Sequence, residues 1–146
     1  MNILFVCTGN TCRSPIAEGI LKKMLKDKNG GYEVNSAGIY THKGAVITPE
    51  AQKQLEKRGI YDMGGRKSVQ ISQELIDDSD LIFAMTGNQR RLLVESFPYA
   101  ADKIHLLGDY TNRGGDVADP YGGNDAEYEK SAAEIEEMLG ILVEMI

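Results

Sequence analysis

The residues best suited to chemistry lie in one short stretch near the start of the chain. Cys7 is followed by five residues and then by Arg13 and Ser14, in the order Cys-Thr-Gly-Asn-Thr-Cys-Arg-Ser. A loop of this length can surround one tetrahedral oxyanion, with backbone N–H groups and a helix N-terminus pointing inward. Arg13 would bind two oxygens of that anion. Cys7 would lie at the bottom of the loop as a nucleophile, so the spacing predicts phosphoryl transfer through a thiolate.

This chemistry requires that the loop stabilise an ionised sulfur. A free thiol has a pKa of roughly 8.5 and is about 3% ionised at pH 7. A helix dipole supplies only about 0.3–1 kcal/mol. We therefore expect the inward N–H groups, the Ser14 hydroxyl and Arg13 to share the task. Gly9 would give the backbone freedom to turn, and Asn10 would brace the loop or accept a left-handed turn.

Displacement of a poor leaving group also requires a general acid. The best candidate is Asp119, in the sequence Asp-Pro-Tyr-Gly-Gly at 119–123. The same carboxylate could then deprotonate the water that hydrolyses the phosphoenzyme. From spacing alone, a plain surface turn is the favoured interpretation of this segment. Asp109 and Asp116 lie in the same region and compete for the role.

Other polar residues have simpler interpretations. Cys12 either packs at the start of the helix or forms a reversible disulfide with Cys7 that blocks over-oxidation. His42 and His105 have no partner that the sequence identifies, and Arg66 is expected at the surface. No group of cysteines and histidines has the spacing of a zinc site, so no metal is expected.

Composition limits the possible partners and the compartment. The chain has 146 residues, which predicts one domain over 1–146, and a formal net charge of −6. An acidic protein is a poor general ligand for nucleic acid or an anionic membrane, so we expect neither as a partner. Two cysteines within one loop do not suggest a secreted disulfide framework. No signal peptide or membrane span is apparent, and we expect a cytoplasmic protein.

The elements that must position these residues alternate along the chain. The pattern predicts strands at 2–6, 32–37, 80–85 and 103–107, with helices at 48–57, 72–78, 88–97 and 124–144. A further helix starts with Ser14 as N-cap and Pro15 at its first position, and ends at 29–31. Asn124 and Glu127 have the spacing of a capping box, and 108–123 reads as a long loop.

This alternation indicates an α/β domain with a parallel sheet covered by helices on both faces. The expected strand order is 2-1-3-4. The loop after the first strand then lies at the topological switch point, where α/β sheets bind ligands. The motif and the fold-level expectation therefore agree.

Three segments resemble the low-molecular-weight protein tyrosine phosphatase family over nearly the whole chain. They are Cys7-Thr8-Gly9-Asn10-Thr11-Cys12-Arg13-Ser14-Pro15, Ser36-Ala37-Gly38 and Asp119-Pro120-Tyr121. The resemblance implies Cys7 as nucleophile, Arg13 as phosphate and transition-state ligand, and Asp119 as acid and base, in place of the surface turn. It implies that Asn10, Ser14 and Ser36 support the loop, and that no cofactor is needed. The residues expected to bind the phosphate or the substrate are Thr8, Gly9, Asn10, Thr11, Cys12, Ser14 and Tyr121.

The residue at position 11 bears on the substrate. Many tyrosine phosphatases of the family carry an aliphatic residue there, whereas a similar bacterial branch carries threonine and acts on phosphoarginine. A hydroxyl suits a polar guanidinium, and an aliphatic side chain suits a phenol ring. Tyr121 offers an aromatic wall for phosphotyrosine, although a ring also stacks on guanidinium. The region 64–70 lacks the histidine of many relatives. We favour phosphoarginine, with phosphotyrosine as the alternative.

Two more distant functions share these features. An arsenate reductase usually needs a cysteine outside the loop, and this chain has none, although a small thiol could replace it. A cysteine phosphocarrier or anion-binding module would not need Asp119. Phosphorylated proteins are the expected partners, and we expect the phosphatase to be a monomer.

Overall fold

The computed structural model describes residues 1–28 and 30–146. Four strands alternate with helices along the chain. The strands are β1 (Asn2–Cys7), β2 (Glu33–Gly38), β3 (Leu81–Ala84) and β4 (Ile104–Leu106). The helices are α1 (Arg13–Leu25), α2 (Pro49–Lys57), α3 (Gln73–Asp78), α4 (Gly87–Ser96), α5 (Leu107–Tyr110) and α6 (Asp125–Met145), and a 3-10 turn covers Pro98–Lys103.

The strands form one parallel sheet in the order β2-β1-β3-β4, which confirms the predicted 2-1-3-4 arrangement. β1 pairs with β2 from Asn2 opposite Glu33 to Cys7 opposite Gly38. On its other side β1 pairs with β3, so that Val6 lies opposite Ala84. A central strand of a parallel sheet is covered on both faces and therefore needs a nearly continuous apolar sequence. The sequence of β1 has this character.

Alternate residues of the central strands face two separate cores. Ile3, Phe5 and Phe83 pack with α1, α2 and α6 on one face. Leu4 and Ile82 pack with α3 and α4 on the other face. Side chains of successive strand residues point to opposite faces, which explains this division. Helices thus cover both faces, and the sheet leaves its carboxyl edge free to carry the loops of the site.

The start of α1 differs from the expectation. Ser14 was expected as N-cap and Pro15 at the first helical position, and both assignments are wrong. The helix begins at Arg13, and Cys12 is its N-cap without a side-chain capping bond. The hydroxyl of Ser14 lies instead 2.9 Å from the Cys7 sulfur. Tertiary contacts of Ser14 therefore override its local capping preference.

Other boundaries shift by one to a few residues. α1 ends at Leu25, ahead of the expected stop at 29–31, and Asn29 lies outside the described residues. The region 108–123 is not all loop, because α5 continues directly from β4 as far as Tyr110. At the start of α6 the Asn124 side chain accepts a bond from the Glu127 backbone, which is one half of the predicted capping box.

α4 begins with a complete capping box. The Thr86 hydroxyl accepts from the Gln89 N–H, and the Gln89 side chain accepts from the Thr86 N–H. This box fixes the junction between β3 and α4 beside the site. Within residues 1–28 and 30–146, no helix combines the length and apolar character that crossing a bilayer requires.

Candidate active site

The carboxyl edge of the sheet brings together residues from distant parts of the chain. Cys7 is the last residue of β1, and residues 7–14, here named the phosphate loop, lead from it into α1. A cavity of about 240 Å³ opens above the loop. Its lining includes most of the residues that the sequence singled out, together with three from the segment after β2: Cys7, Thr8, Gly9, Thr11, Cys12, Arg13, Tyr40, His42, Ala45, Asp119 and Tyr121.

Asn10 is the structural centre of the phosphate loop. It takes the left-handed conformation, with φ of 57°, so the turn falls on Asn10 rather than on Gly9. Its buried side chain makes four hydrogen bonds. The carbonyl oxygen accepts from Arg66 at 2.8 Å and from the Val69 N–H at 2.9 Å, and the amide nitrogen donates to Ser14 at 2.7 Å and Ser36 at 3.0 Å.

These bonds have a fixed direction that ends on the Cys7 sulfur. Arg66 and the Val69 N–H can only donate, so the Asn10 carbonyl oxygen must face them and its NH₂ must face the hydroxyls. The Ser14 oxygen therefore accepts from Asn10, and its own proton is free to point at Cys7. The sulfur is the acceptor at the end of the chain, and this arrangement stabilises a thiolate.

A buried ion pair supports Asn10 from behind. Glu18 on α1 accepts from the Ser36 hydroxyl at 2.6 Å and lies 3.0 Å from the Arg66 guanidinium. Arg66 also donates to the Ser36 carbonyl at 2.9 Å. The expected surface position of Arg66 is wrong, because its side chain is only 16% exposed. Burial of the guanidinium makes sense because four acceptors, the Lys67 carbonyl among them, satisfy its fork of donors.

Neither Glu18 nor Arg66 was found as a site residue from the sequence. Glu18 follows the Arg-Ser of the motif by one helical turn, which places it on the same side of α1, and this spacing was the available signal. Arg66 lies in an irregular segment without a periodic pattern. Its contact with residue 10 spans 56 positions and has no local signature.

Arg13 is buried beneath the cavity and is linked to the segment that carries Asp119. One guanidinium nitrogen donates to the Val117 carbonyl at 3.0 Å, and the other lies 3.7 Å from an Asp119 oxygen. The Asp119 side chain is 57% exposed. Its second oxygen accepts from the Tyr121 N–H at 3.1 Å. The structure thus places the basic and the acidic candidate at the same cavity as Cys7.

The mouth of the cavity has both polar and aromatic walls. Thr8 and Thr11 contribute hydroxyl-bearing side chains from the phosphate loop. Tyr40 and Tyr121, which are 68% and 69% exposed, contribute rings from two other segments. The sequence did not identify Tyr40 as a lining residue. His42, for which the sequence suggested no partner, also lies at this wall.

Cys12 lies in a more enclosed environment. Its sulfur is 3.2 Å from the Tyr128 hydroxyl on α6 and 3.7 Å from the Thr48 hydroxyl that caps α2. Burial raises the pKa of the Cys12 thiol above its ordinary value, although these hydrogen bonds oppose that shift. Burial and the bond to Cys12 likewise raise the pKa of the Tyr128 hydroxyl. This environment favours the protonated thiol of Cys12. Neither cysteine is in a disulfide.

Gln89 reaches the phosphate loop from the other face of the sheet. Its amide nitrogen donates to the Thr8 hydroxyl at 3.0 Å, while its oxygen accepts from the Met85 and Thr86 N–H groups. Nothing in the sequence pattern indicated this contact, which spans 81 positions. Among the described residues, no three His, Cys, Asp or Glu side chains are grouped so that they could hold a metal ion.

Comparison with known proteins identifies a family that covers almost the whole chain. The model of the "Low molecular weight phosphotyrosine protein phosphatase" family matches residues 2–146. A protein-arginine-phosphatase of Geobacillus stearothermophilus is 38% identical, over 99% of this chain and 95% of that protein. The low-molecular-weight protein-tyrosine-phosphatase PtpB of Staphylococcus haemolyticus is 36% identical, over 97% of each chain.

A solved structure is similar to this chain in both fold and sequence. It is the YwlE arginine phosphatase in a cysteine-to-serine mutant with a phosphorylated active-site serine. The two structures superpose with a TM-score of 0.93 at 34% identity, over 99% of this chain and 95% of the other. Matches of this extent in sequence and in fold show that the chain belongs to the low-molecular-weight phosphotyrosine protein phosphatase family.

Proposed function

We propose that this phosphatase removes phosphate from phosphoproteins in two steps through a phosphocysteine on Cys7, and that phosphoarginine is its preferred substrate. The hydrogen-bond chain from Asn10 through Ser14 to the Cys7 sulfur supports the role of nucleophile. The phosphorylated active-site serine of the related YwlE mutant is a second support. Arg13 and Asp119 at the same cavity supply the remaining chemistry.

In the first step the Cys7 thiolate attacks phosphorus, and the bond from phosphorus to the leaving group breaks. The Arg13 guanidinium and the inward N–H groups of the phosphate loop bind the equatorial oxygens, where negative charge accumulates. Protonated Asp119 gives its proton to the departing nitrogen or oxygen, so that the leaving group departs neutral. The products are S-phosphocysteine, the free amino-acid side chain and the Asp119 carboxylate.

In the second step a water molecule attacks the phosphorus of the phosphocysteine. The Asp119 carboxylate takes the proton of that water, and the phosphorus–sulfur bond breaks. Phosphate leaves, the thiolate reforms under the Ser14 hydroxyl, and Asp119 is again protonated. Exposure of Asp119 at the mouth of the cavity suits both tasks, because the group must contact the leaving group and then water.

We assign the preference for phosphoarginine to Thr11. Thr11 lines the cavity beside Thr8, so two hydroxyl-bearing residues of the phosphate loop adjoin the space for the leaving group. A guanidinium presents several N–H donors, for which hydroxyl oxygens are suitable acceptors. The name of the Geobacillus relative, a protein-arginine-phosphatase, supports the same substrate.

Phosphotyrosine is the second candidate. The exposed rings of Tyr40 and Tyr121 stand at the mouth, where they could sandwich a phenol ring. The Staphylococcus relative is named as a tyrosine phosphatase. Aromatic rings also stack on a guanidinium plane, however, so these walls accept both leaving groups, and Thr11 is the residue that separates them.

A comparison of two phosphopeptides tests this proposal. We expect the kcat/KM of the wild type to be higher for a phosphoarginine peptide than for the matched phosphotyrosine peptide. Thr11→Ile should lower the ratio of the phosphoarginine value to the phosphotyrosine value by roughly tenfold or more, because a half-buried acceptor for the guanidinium is replaced by an apolar side chain. The kcat/KM of each peptide for each protein is the measurement.

Cys7→Ser serves as the inactive control in that experiment. A wild-type preference for phosphotyrosine would contradict the substrate assignment while leaving the mechanism intact. Near-normal turnover by Cys7→Ser would contradict the mechanism itself.

Cytoplasmic location and a monomeric state complete the proposal. The chemistry requires a free Cys7 thiol, and a reducing compartment keeps two neighbouring cysteines reduced. Cys7, Arg13 and Asp119 of the same chain meet at one cavity, which supports a monomeric enzyme. Sedimentation at micromolar concentration and fractionation of cells measure the two properties.

A further inference from the structure

The segment 116–119, which carries Asp119, is held by hydrogen bonds to two different helices. The side chains that make these bonds take no part in the reaction. On one side, an Asp116 carboxylate oxygen accepts from the Gly87 N–H, at the start of α4, at 2.9 Å. On the other side, the Ser131 hydroxyl on α6 donates to the Ala118 carbonyl at 2.9 Å. These two residues hold the backbone immediately before Asp119.

Val117, between the two fastened residues, is buried and is also tied at both ends. Its N–H donates to the Met85 carbonyl at 2.9 Å, and its carbonyl accepts from Arg13 at 3.0 Å. Asp119 itself has looser contacts, with one oxygen 3.7 Å from Arg13 and the other on the Tyr121 N–H. The position of its carboxylate therefore depends on the segment behind it.

Ser131 is a buried hydroxyl whose contact is unusual for its place in the helix. A serine inside a helix commonly bonds to its own helix backbone or points to solvent. Ser131 is 1% exposed and reaches instead across to the Ala118 carbonyl. A helix built for stability alone would favour alanine at this position. The hydroxyl thus serves the neighbouring segment and not the helix.

Asp116 has a complementary place at the other end of the segment. The sequence left it as a competitor of Asp119 for the role of acid, yet its carboxylate is bonded to the first residue of a ten-residue helix. A negative charge is favourable at that helix end. The carboxylate is therefore engaged in holding the segment.

We propose that Asp116 and Ser131 are positioning residues that together set the reach of Asp119 over the leaving group. They touch no reacting atom and act through the backbone of 116–119. The proposal rests on the proposed role of Asp119 as general acid. Loosening either attachment lets Asp119 sample positions from which proton transfer to the leaving group fails.

Leaving-group dependence separates this role from general damage to the site. Phenyl phosphate expels a phenolate, whose acid has a pKa of about 10, and so requires protonation. p-Nitrophenyl phosphate expels a much weaker base and requires little help. For Ser131→Ala and for Asp116→Ala we expect kcat/KM to fall about tenfold with phenyl phosphate and at most about threefold with p-nitrophenyl phosphate, a fraction of what a whole general acid contributes.

The parameter kcat/KM is the appropriate one because it reports the transfer to Cys7, in which Asp119 acts as an acid. Distortion of the phosphate loop would lower kcat/KM for both substrates by the same factor. Asp116→Asn keeps an acceptor oxygen for the Gly87 N–H and should retain most activity. Asp109→Asn makes the same charge change at an exposed residue of α5 and should match the wild type.

A double variant provides the decisive arm. Because the positioning residues act through Asp119, Ser131→Ala should cost nothing further in an Asp119→Asn background. Ser131→Ala should also unfold at nearly the wild-type urea concentration, since the better helix former offsets the lost bond.

Equal losses on the two substrates, no loss on either, or additive losses in the double variant would each overturn the proposal. If Asp119→Asn alone shows no leaving-group dependence, the acid is misassigned and the proposal fails with it. A preference for phosphotyrosine over phosphoarginine would leave the acid assignment and the positioning proposal intact. The two aryl phosphates are suitable substrates whichever of these phosphoproteins the enzyme prefers.

Discussion

Asn10 shows how one side chain can organise a reaction centre. Asparagine tolerates the left-handed conformation that the loop needs, and its carboxamide has two acceptor and two donor positions, all of which are used. The acceptor faces groups that only donate, which leaves the donors for two serines. The polarity of the whole network is thereby set at a single residue, and Cys7 lies at its receiving end.

Arg66 maintains the direction of these hydrogen bonds. Its replacement should lower both the stability and the activity of the protein. In Arg66→Met we expect the free energy of unfolding to fall by about 2–4 kcal/mol, because buried Glu18 would lose the guanidinium and retain the half-exposed Lys22 as its charged partner. We expect kcat to fall as well, since Asn10 loses a donor. Urea denaturation and steady-state kinetics with p-nitrophenyl phosphate measure the two effects.

The control for that variant is Arg91→Met, which removes an arginine from an exposed pair with Glu95. Exposed pairs contribute roughly 0–1 kcal/mol, so this variant should remain close to the wild type. Equal destabilisation by the two substitutions would show that the Glu18–Arg66 pair has no special role.

At the residue scale, the sequence predicted the chemistry better than its support. Cys7, Arg13 and Ser14 stand in one short motif, whose spacing alone indicates an anion loop. Glu18 and Arg66 are charged residues, and each can be buried because the other is its partner. A local sequence pattern does not indicate such a pair. Pairing across 48 positions requires the folded chain.

At the scale of elements, the end of β2 must approach the phosphate loop very closely. A Cβ on Gly38 would lie 2.8 Å from the Thr8 carbonyl oxygen and 3.0 Å from the Gly9 carbonyl carbon. Both contacts are with backbone, so a rotamer change cannot relieve them. The small residue at this position allows β2 and the loop to share one edge of the sheet.

Gly38→Ala should therefore damage the loop more than the fold. We expect kcat/KM to fall at least about tenfold and the free energy of unfolding to fall by about 1–3 kcal/mol, as in overpacked sites. Gly140→Ala in α6 is the matched control, since nothing lies within 4 Å of its added Cβ. That control should gain stability, by up to about 1 kcal/mol. Unchanged activity in Gly38→Ala would refute the close-contact argument.

The elements themselves were largely predictable, and the misassigned helix start is instructive. Alternation of apolar runs with amphipathic segments located the four strands and the longer helices. Ser14-Pro15 has the composition of a helix start, yet the helix begins two residues earlier because Ser14 is bonded to Cys7 and Asn10. A local propensity of about 1 kcal/mol yields to such contacts.

At the scale of the molecule, the sheet order determines which segments can meet. β1 lies between β2 and β3, so the loop after it receives support from Ser36 on one side and from Gln89 on the other. Asp119 lies far from the phosphate loop in sequence. The segment before it is held near the loop by contacts with α1, α4 and α6. The fold order followed from the sequence, but these cross-connections depend on loop geometry.

His105 on β4 should make the stability of the whole molecule depend on pH. Burial, with a smaller contribution from Arg90, lowers the pKa of His105 below its ordinary 6.5, and its ring packs against Tyr110 and Phe83. The neutral form is favoured in the folded state. The stabilisation is therefore present above pH 6.5 and is lost as the pH falls through the lowered pKa.

The measurement is the free energy of urea unfolding between pH 7 and pH 5.5. We expect it to decrease for the wild type and to decrease less for His105→Phe, which keeps a ring but cannot titrate. Identical slopes for the two proteins would show that His105 does not contribute to this dependence.

The four bonds of the Asn10 carboxamide also bear on how the protein ages. Slow hydrolysis converts asparagine into aspartate in any protein. At Asn10 it would exchange two donors for an acceptor, turn the Ser14 proton away from Cys7 and place a second carboxylate near Glu18. We therefore expect one such event to lower the activity of the molecule. Because Arg66 and the Val69 N–H orient the same carboxamide, the residue that directs the reaction is also the one whose chemical ageing would impair it.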